Sequence, residues 1–242
     1  MDENTLQVSY KALPHQLRTL ASKKKFIFMG GGVGCGKTDC GSLWAIKKVL
    51  ETPKDVKGII CANSYSQLKD STLANFYKNC DQWGIEVSPS EPPKTNGPFS
   101  IQVWNGKNWV KVLCRSLENH KSLAGMEVGW WWADEVYQTK KDAIDQLNSR
   151  LRDKRMHNQG LMTTTLDDPS TWMYEMFVEN FKPELMLVHY ATTYDNEANL
   201  PEGYIDGLKE TYSEQLFKRM CLSLWVTLQG MAIYHAFDRG YN

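Results

Sequence analysis

An eight-residue run, Gly31-Gly32-Val33-Gly34-Cys35-Gly36-Lys37-Thr38, constrains this chain more than any other feature. It has the form GxxxxGK[ST] without a gap, directly after an apolar run over 26–29 and directly before a helical pattern over 38–50. A glycine-rich turn so placed lets successive backbone N–H groups converge without Cβ collisions. The helix opening near Gly36 adds the positive end of its dipole. Such a turn suits a polyphosphate: Lys37 would reach the β and γ phosphates as a point charge, and the Thr38 hydroxyl would ligate Mg2+. Accident produces the pattern in roughly one chain of this size in a hundred, and a mere surface turn would not also need the strand before it and the helix after it. Residues 31–38 are therefore expected to bind a nucleoside triphosphate.

The rest of the chain alternates short apolar runs with helical stretches. Strands are expected over 26–29, 58–62, 130–133, 161–166 and 185–192, and helices over 38–50, 67–80, 141–152, 170–180 and 202–220. Continuously apolar strands alternating with helices imply a parallel sheet covered on both faces. Asn105-Gly106 between 100–104 and 109–114 signals a hairpin, because Asn-Gly accepts the positive φ angles of tight turns. The expected fold is α/β: a P-loop NTPase fold with a mostly parallel central β-sheet flanked by helices on both faces, plus a β-hairpin insertion preceded by a loop over 88–98. After Met220 the pattern changes to strand-like runs over 222–228 and 232–237. Residues 1–222 are thus expected to form the nucleotide-binding domain, and 223–242 a linker and the start of a second one.

Composition narrows the partners. Of 242 residues, 42% are apolar and 23% charged, ordinary for a globular chain. Twenty-eight Lys and Arg balance 28 Asp and Glu, so nucleic-acid contact would come from a local patch or from subunits arranged together. No two of the six cysteines form a CxxC pair, and no apolar run approaches the ~20 residues that cross a bilayer. The acidic start, Met1-Asp2-Glu3-Asn4, lacks a signal-peptide layout. A reducing, cytoplasmic compartment with free, buried thiols is expected.

Hydrolysis needs carboxylates as well as a phosphate turn. Trp130-Trp131-Trp132-Ala133-Asp134-Glu135 supplies two at the end of a buried strand. Asp134 is expected to contact Mg2+, usually through water, and Glu135, one residue on, to serve as general base for the attacking water. A helix-start acidic pair is the alternative. The three tryptophans read as core. Thr139-Lys140-Lys141-Asp142 imitates a guanine-reading motif but lies only a few residues past Asp134, so it reads as a helix start and adenine is the favoured base.

With these motifs in place, the chain resembles the large subunit of tailed-phage DNA-packaging terminases, in its N-terminal ATPase domain and along nearly its whole length. Tyr10-x-x-x-Pro14-His15-Gln16 looks like the family's adenine-recognition segment, with Gln16 as the base-reading amide; a helix-cap glutamine is the alternative. Thr163-Thr164-Thr165 looks like the coupling motif that senses γ-phosphate, although threonines also simply suit a strand. Asp167-Asp168-Pro169 with Trp172-Met173-Tyr174 is similar to the family's Asn-Pro and Trp-x-Tyr stretch, with Asp for Asn. Leu224-Trp225, Gly230 and Tyr234-x-x-Phe237-Asp238 resemble the passage into its nuclease domain.

The resemblance implies an ATP hydrolase using Mg2+ to translocate double-stranded DNA into a procapsid. It implies portal protein and small terminase subunit as partners, a homo-oligomeric ring on the portal formed by a chain monomeric in isolation, and no membrane partner. The implied location is the host cytoplasm and, transiently, the procapsid, and no nuclease activity is expected of this chain. Two departures stand out. Ser122-Leu123-Ala124-Gly125 lacks the arginine that relatives commonly insert into a neighbour's site, and Val33 stands where many have Arg. An arginine finger is worth about 10³–10⁵ in rate, so a substitute is expected; Lys121, Arg115 and Arg150 are the candidates. The basic run Arg150-Leu151-Arg152-Asp153-Lys154-Arg155 suits a DNA channel or a solvated helix end, and Lys23-Lys24-Lys25 is a second basic run. The alternatives are a helicase-like P-loop ATPase, a small-molecule kinase, for which no lid or acceptor-binding arginines are evident, and a non-catalytic nucleotide switch.

Overall fold

A computed structural model describes residues 10–228. The chain enters through α1 (Pro14–Ala21) into β1 (Phe26–Gly31), then passes through the glycine turn into α2 (Lys37–Glu51) and β2 (Lys57–Ala62). A continuous helical segment, α3, follows as Tyr65–Gln67, Leu68–Leu73 and Ala74–Gln82, its middle turns in π geometry. Next come β3 (Val87–Ser88), β4 (Phe99–Trp104), β5 (Trp109–Ser116), a 3-10 turn His120–Leu123, β6 (Trp130–Asp134) and a 3-10 turn Val136–Gln138. The remainder is α4 (Lys141–Arg150), β7 (Gln159–Thr164), α5 (Trp172–Tyr174 continuing as Glu175–Glu179), β8 (Met186–Ala191), a 3-10 stretch Thr193–Asn199, α6 (Tyr204–Thr211) and α7 (Glu214–Met220).

The eight strands form one sheet in the order β3-β4-β5-β2-β6-β7-β1-β8. Pairing is parallel from β5 through β2, β6, β7 and β1 to β8, and antiparallel at β3–β4 and β4–β5. The expected mostly parallel sheet with a hairpin is therefore present, lengthened by the short β3 at the start of the stretch expected to be a loop.

Alternation along the strands builds a core on each face. Ile27, Ile60, Trp130 and Trp132 pack with Trp44 of α2 and Phe76 of α3 on one side. Phe28, Ile59, Trp131 and Met162 pack with Ile144 of α4 and Phe177 of α5 on the other. The three adjacent tryptophans are fully buried, as large apolar bodies on a strand covered from both sides should be. Each sits where a glycine makes room. A Cβ on Gly41 would stand 2.2 Å from the Trp132 ring, one on Gly58 2.1 Å from Trp130, and one on Gly160 2.2 Å from Trp131. All six cysteines are buried and unpaired.

Two expectations about the C-terminal part are corrected. The helix expected over 202–220 is two helices, because Tyr212 is extended and the Ser213 Oγ caps the second one by accepting from the Leu216 N–H at 3.2 Å. No strand forms over 222–228. Ser223 has φ +54°, and the N–H groups of Leu222 and Leu224 turn back onto Phe217 O and Lys218 O at the end of α7 instead of pairing with a neighbour strand. The strand expected over 232–237 lies outside the described residues. Among the described residues no helix is long and apolar enough to cross a membrane.

Candidate nucleotide site

Strand order brings the two halves of the site together. β7 lies between β6 and β1, so the glycine turn leaving β1 and the acidic end of β6 flank one strand. Asp134 is in register with Thr163, and Gly30 with Thr164. All of these residues stand at the carboxyl edge of the parallel sheet, where open α/β sheets leave a crevice for ligands.

The turn takes its shape from glycines in the left-handed region, Gly34 at φ +72° and Gly36 at φ +85°. Two amides at its entrance are spent on the scaffold: Gly32 N–H donates to Ala191 O at 2.9 Å and Val33 N–H to Met220 O at 2.7 Å. The first amides of α2, which begins at Lys37, have no acceptor inside the helix. Gly31, Gly32, Val33, Gly34, Cys35, Gly36, Lys37 and Thr38 thus form a compact turn opening a fifteen-residue helix, as the motif requires.

The carboxylates reach this turn. Thr38 Oγ1 donates to Asp134 Oδ1 at 3.5 Å, and Lys37 Nζ lies 3.3 Å from Glu135 Oε1. In a straight strand Glu135 would point away from the side that Asp134 serves. Instead it adopts φ +53°, ψ +49°, a left-handed conformation costing a non-glycine residue ~1–3 kcal/mol. Its N–H is tied to Thr163 O at 2.7 Å, and its side chain turns toward Lys37.

The three threonines each engage this pair of acids or the turn behind it. Thr163 Oγ1 donates to Asp134 Oδ1 at 2.6 Å and accepts from Trp132 Nε1–H at 2.8 Å. Thr164 Oγ1 accepts from Tyr137 N–H at 3.0 Å, and Thr165 Oγ1 donates to Glu135 Oε2 at 3.3 Å. Thr72 is the contact that sequence reasoning missed. From the π turns of α3 it donates to Asp134 Oδ2 at 3.0 Å. Its one advance signal would have been the π geometry itself, frequent at functional sites but invisible in the residue pattern.

Charge at the site is unbalanced. Burial, and then the neighbouring Glu135 charge, push Asp134 up to about 6, against the hydrogen bond from Thr163, the Lys37 charge and the Thr72 hydroxyl. Burial pulls Lys37 down, yet the charges of Glu135, Cys35 and Asp134 outweigh it and its ammonium is held above the usual range. Two carboxylates thus face one lysine. Hydroxyl and carboxylate oxygens with excess negative charge fit Mg2+ chemically, and Thr38 and Asp134 are the residues that would hold it.

Gln16 lies beside the turn, buried, and its amide is largely engaged. Oε1 accepts from Leu13 N–H at 3.0 Å at the start of α1 and lies 3.2 Å from the Tyr10 hydroxyl, while Nε2 donates to Gly36 O at 3.2 Å. The helix-cap reading is therefore realised, with one Nε2 hydrogen unassigned. Of the three finger candidates, Arg115 Nη1 is bound to Phe99 O at 2.6 Å and to Cys114 O at 2.8 Å, and Arg150 Nη2 to Gln146 Oε1 at 2.8 Å. Lys121 is exposed on the turn His120–Leu123 and has no ion pair or hydrogen bond of its side chain among the described residues. The run over 150–155 is less free than its sequence suggests. Arg152 Nε is 3.3 Å from Glu127 and Arg155 Nη2 is 2.6 Å from Asp153. The Lys140–Lys141 stretch is a helix start, as expected.

A glycine turn on β1, a lysine and threonine opening α2, and two acids at the end of β6, across the intervening β7, together define a P-loop nucleotide-binding domain. The sequence profile of the terminase large subunit, T4likevirus-type, N-terminal region, matches residues 28–240, and the chain belongs to that family. No curated protein matches the chain. Among solved structures it resembles the large terminase of a thermophilic bacteriophage, with TM-score 0.82 and 16% identity over 95% of this chain and 57% of that one. The same phage protein in complex with ADP aligns with TM-score 0.77 and 15% identity over 88% and 53%. The ATPase domain of the Thermus phage P74-26 large terminase aligns with TM-score 0.65 and 16% identity over 90% and 95%. At such identities the likeness is one of fold, and the chain spans little more than half the length of the first of these terminases.

Proposed function

We propose that this chain is the ATPase domain of a DNA-packaging motor, binding ATP with Mg2+ over residues 31–38 and hydrolysing it to drive double-stranded DNA into a procapsid. The observation that carries the reading is the meeting of Lys37 and Thr38 with Glu135 and Asp134 across one intervening strand. Amides of the glycine turn and Lys37 bind and orient the polyphosphate. Glu135 holds the proton removed from water as its oxygen attacks the γ-phosphorus and the bond to the β-phosphate oxygen breaks, leaving ADP and phosphate. Bound Mg2+ supplies charge neutralisation at the phosphate oxygens. Thr163 at the end of β7 and Thr165 just beyond it place a hydroxyl on each acid, which suits the relay of γ-phosphate occupancy into the sheet.

Membership of the terminase family supports duplex DNA as the substrate moved, with the portal protein and small terminase subunit as partners and a ring on the portal as the assembly. The site of action that follows is the host cytoplasm and, transiently, the procapsid. Lys23, Lys24 and Lys25, exposed and without acidic partners among the described residues, offer the freer of the two basic runs to phosphates. The test is Mg2+-dependent phosphate release by the purified chain with and without linear duplex DNA. Turnover that duplex stimulates is expected. No release under either condition, from a folded chain, would remove the reading.

A further inference from the structure

The carbonyls of the phosphate turn are bound, one by one, to side chains outside the motif. Thr193 Oγ1 donates to Val33 O at 2.8 Å, and Asn196 Nδ2 to Gly34 O at 2.7 Å. His15 Nε2 lies 2.9 Å from Cys35 O, which can only accept, so this nitrogen carries the proton. Gln16 Nε2 donates to Gly36 O at 3.2 Å, a carbonyl that also accepts from Cys40 N–H at 2.9 Å in the first turn of α2. Four consecutive carbonyls therefore meet four donors, two from α1 and two from the 3-10 stretch Thr193–Asn199 that follows β8.

In a trans peptide the C=O and the next N–H point in opposite directions. Holding the carbonyls of residues 33, 34, 35 and 36 outward therefore turns the amides of Gly34, Cys35, Gly36 and Lys37 the other way; Cys35 N–H bonds within the turn to Gly32 O, and the other three have no backbone acceptor among the described residues. The turn needs this restraint because it is rich in glycine, and glycine makes reversing a peptide plane inexpensive. A reversed plane would aim a carbonyl at the phosphates.

We propose that Thr193 and His15, with Asn196 and Gln16 bracing the same turn, are positioning residues that set the peptide planes of the phosphate turn and thereby the affinity for polyphosphate. The proposal rests on the ATP reading above and assigns the grip on the phosphates to two elements outside the motif. It also separates Gln16 from base recognition alone, since a role in the turn acts equally on ligands that have no base.

The experiment measures binding of ATP, and of tripolyphosphate by competition, to wild type and to variants on each element. Thr193→Val keeps the shape and removes the donor, and is expected to weaken both ligands about tenfold, the worth of one hydrogen bond. Thr193→Ser, which keeps the hydroxyl, should stay within about twofold of wild type. His15→Ala should behave like Thr193→Val, and His15→Gln, whose amide can occupy the Nε2 position, should recover most of the loss; Asn196→Ala, which frees the plane whose amide stays within the turn, should weaken binding less. In turnover, KM should rise with kcat little changed, because ground and transition states share these amides. Variants that fold, lose thermal stability and bind both ligands as wild type does would overturn the proposal, as would loss confined to ATP. Should wild type bind neither ligand, it is the ATP reading that fails. The two elements are tested separately, so a variant that does not fold on one leaves the other to decide.

Discussion

Asp134 and Glu135 are neighbours in sequence with different surroundings, and the difference supports the separate roles proposed for them. Asp134 is sealed beneath Thr163 and Thr72 and offers Oδ1 to Thr38. Glu135 is partly exposed and bound to Lys37 and Thr165, where a water could reach it. Glu135→Ala should therefore retain ATP binding and lose turnover by about 10²–10⁴, the usual worth of a general base, read as phosphate release beside a binding isotherm. Lys37→Ala should abolish binding itself. Equal turnover in Glu135→Ala and wild type would sink the division of labour. Thr163→Val tests the support beneath them: it strips Asp134 of its shortest hydrogen bond and leaves the Trp132 N–H without its acceptor. Each orphaned buried group costs ~1–3 kcal/mol, so a lowered urea midpoint together with weakened turnover is expected.

At the scale of elements, the three tryptophans of β6 connect packing to chemistry. Trp132 lies against Gly41 of α2 and also holds Thr163 through its indole N–H, so a methyl group at 41 pushes on the residue that supports Asp134. Gly41→Ala should destabilise the fold by ~1–3 kcal/mol through overpacking and reduce turnover further than the stability loss explains. Gly58→Ala, under Trp130 on the side of β6 bonded to Thr52, should destabilise similarly and spare turnover in the folded fraction. Thermal melts paired with specific activity separate the two. Much of this layer was legible in the sequence: the glycine turn, the tryptophan strand and the Asn-Gly hairpin each carry a local signal strong enough to survive tertiary context. What was not legible depends on contacts between distant residues. Nothing local marks Thr72 as a partner of Asp134, or Asn196 as a donor to Gly34 O, because 62 and 162 residues separate the pairs. Nor could strand periodicity reveal the left-handed turn at Glu135, or that 222–228 folds back onto α7.

The molecule as a whole joins its edge strand to its first helix through a buried histidine. His189 Nε2 lies 2.7 Å from Thr19 Oγ1, and burial, reinforced by the charges of Arg18 and His15 on α1, holds its pKa down at about 4. Against ~6.5 in the unfolded chain, the unfolded state binds more protons between these values. His189 thus contributes stability fully above pH 6.5 and loses it as pH falls toward 4, by up to ~3 kcal/mol. Asp134, raised to about 6, works in the opposite sense. The comparison is therefore between wild type and His189→Gln: the drop in urea midpoint from pH 7.5 to pH 5 should be smaller in the variant.

Completion of the site is the remaining question at this scale. Among the described residues, no arginine side chain bonds the phosphate turn or Glu135; Arg219 is committed to Asp167 and Leu166 O, Arg115 to β4, and Arg150 to its own helix. An arginine finger is worth about 10³–10⁵ in rate, and on the proposed reading a cation from outside this copy supplies that term. Lys121, exposed and unpaired among the described residues, is the free cation among the three candidates, and on the proposed reading it would act in a neighbouring copy. Phosphate release per chain should therefore rise with protein concentration and level off when the chains associate. Lys121→Ala should flatten the rise while leaving the low-concentration rate as it was, and mixing it with Glu135→Ala should restore activity, each variant supplying what the other lacks. A rate per chain independent of concentration would mean that one copy completes its own site.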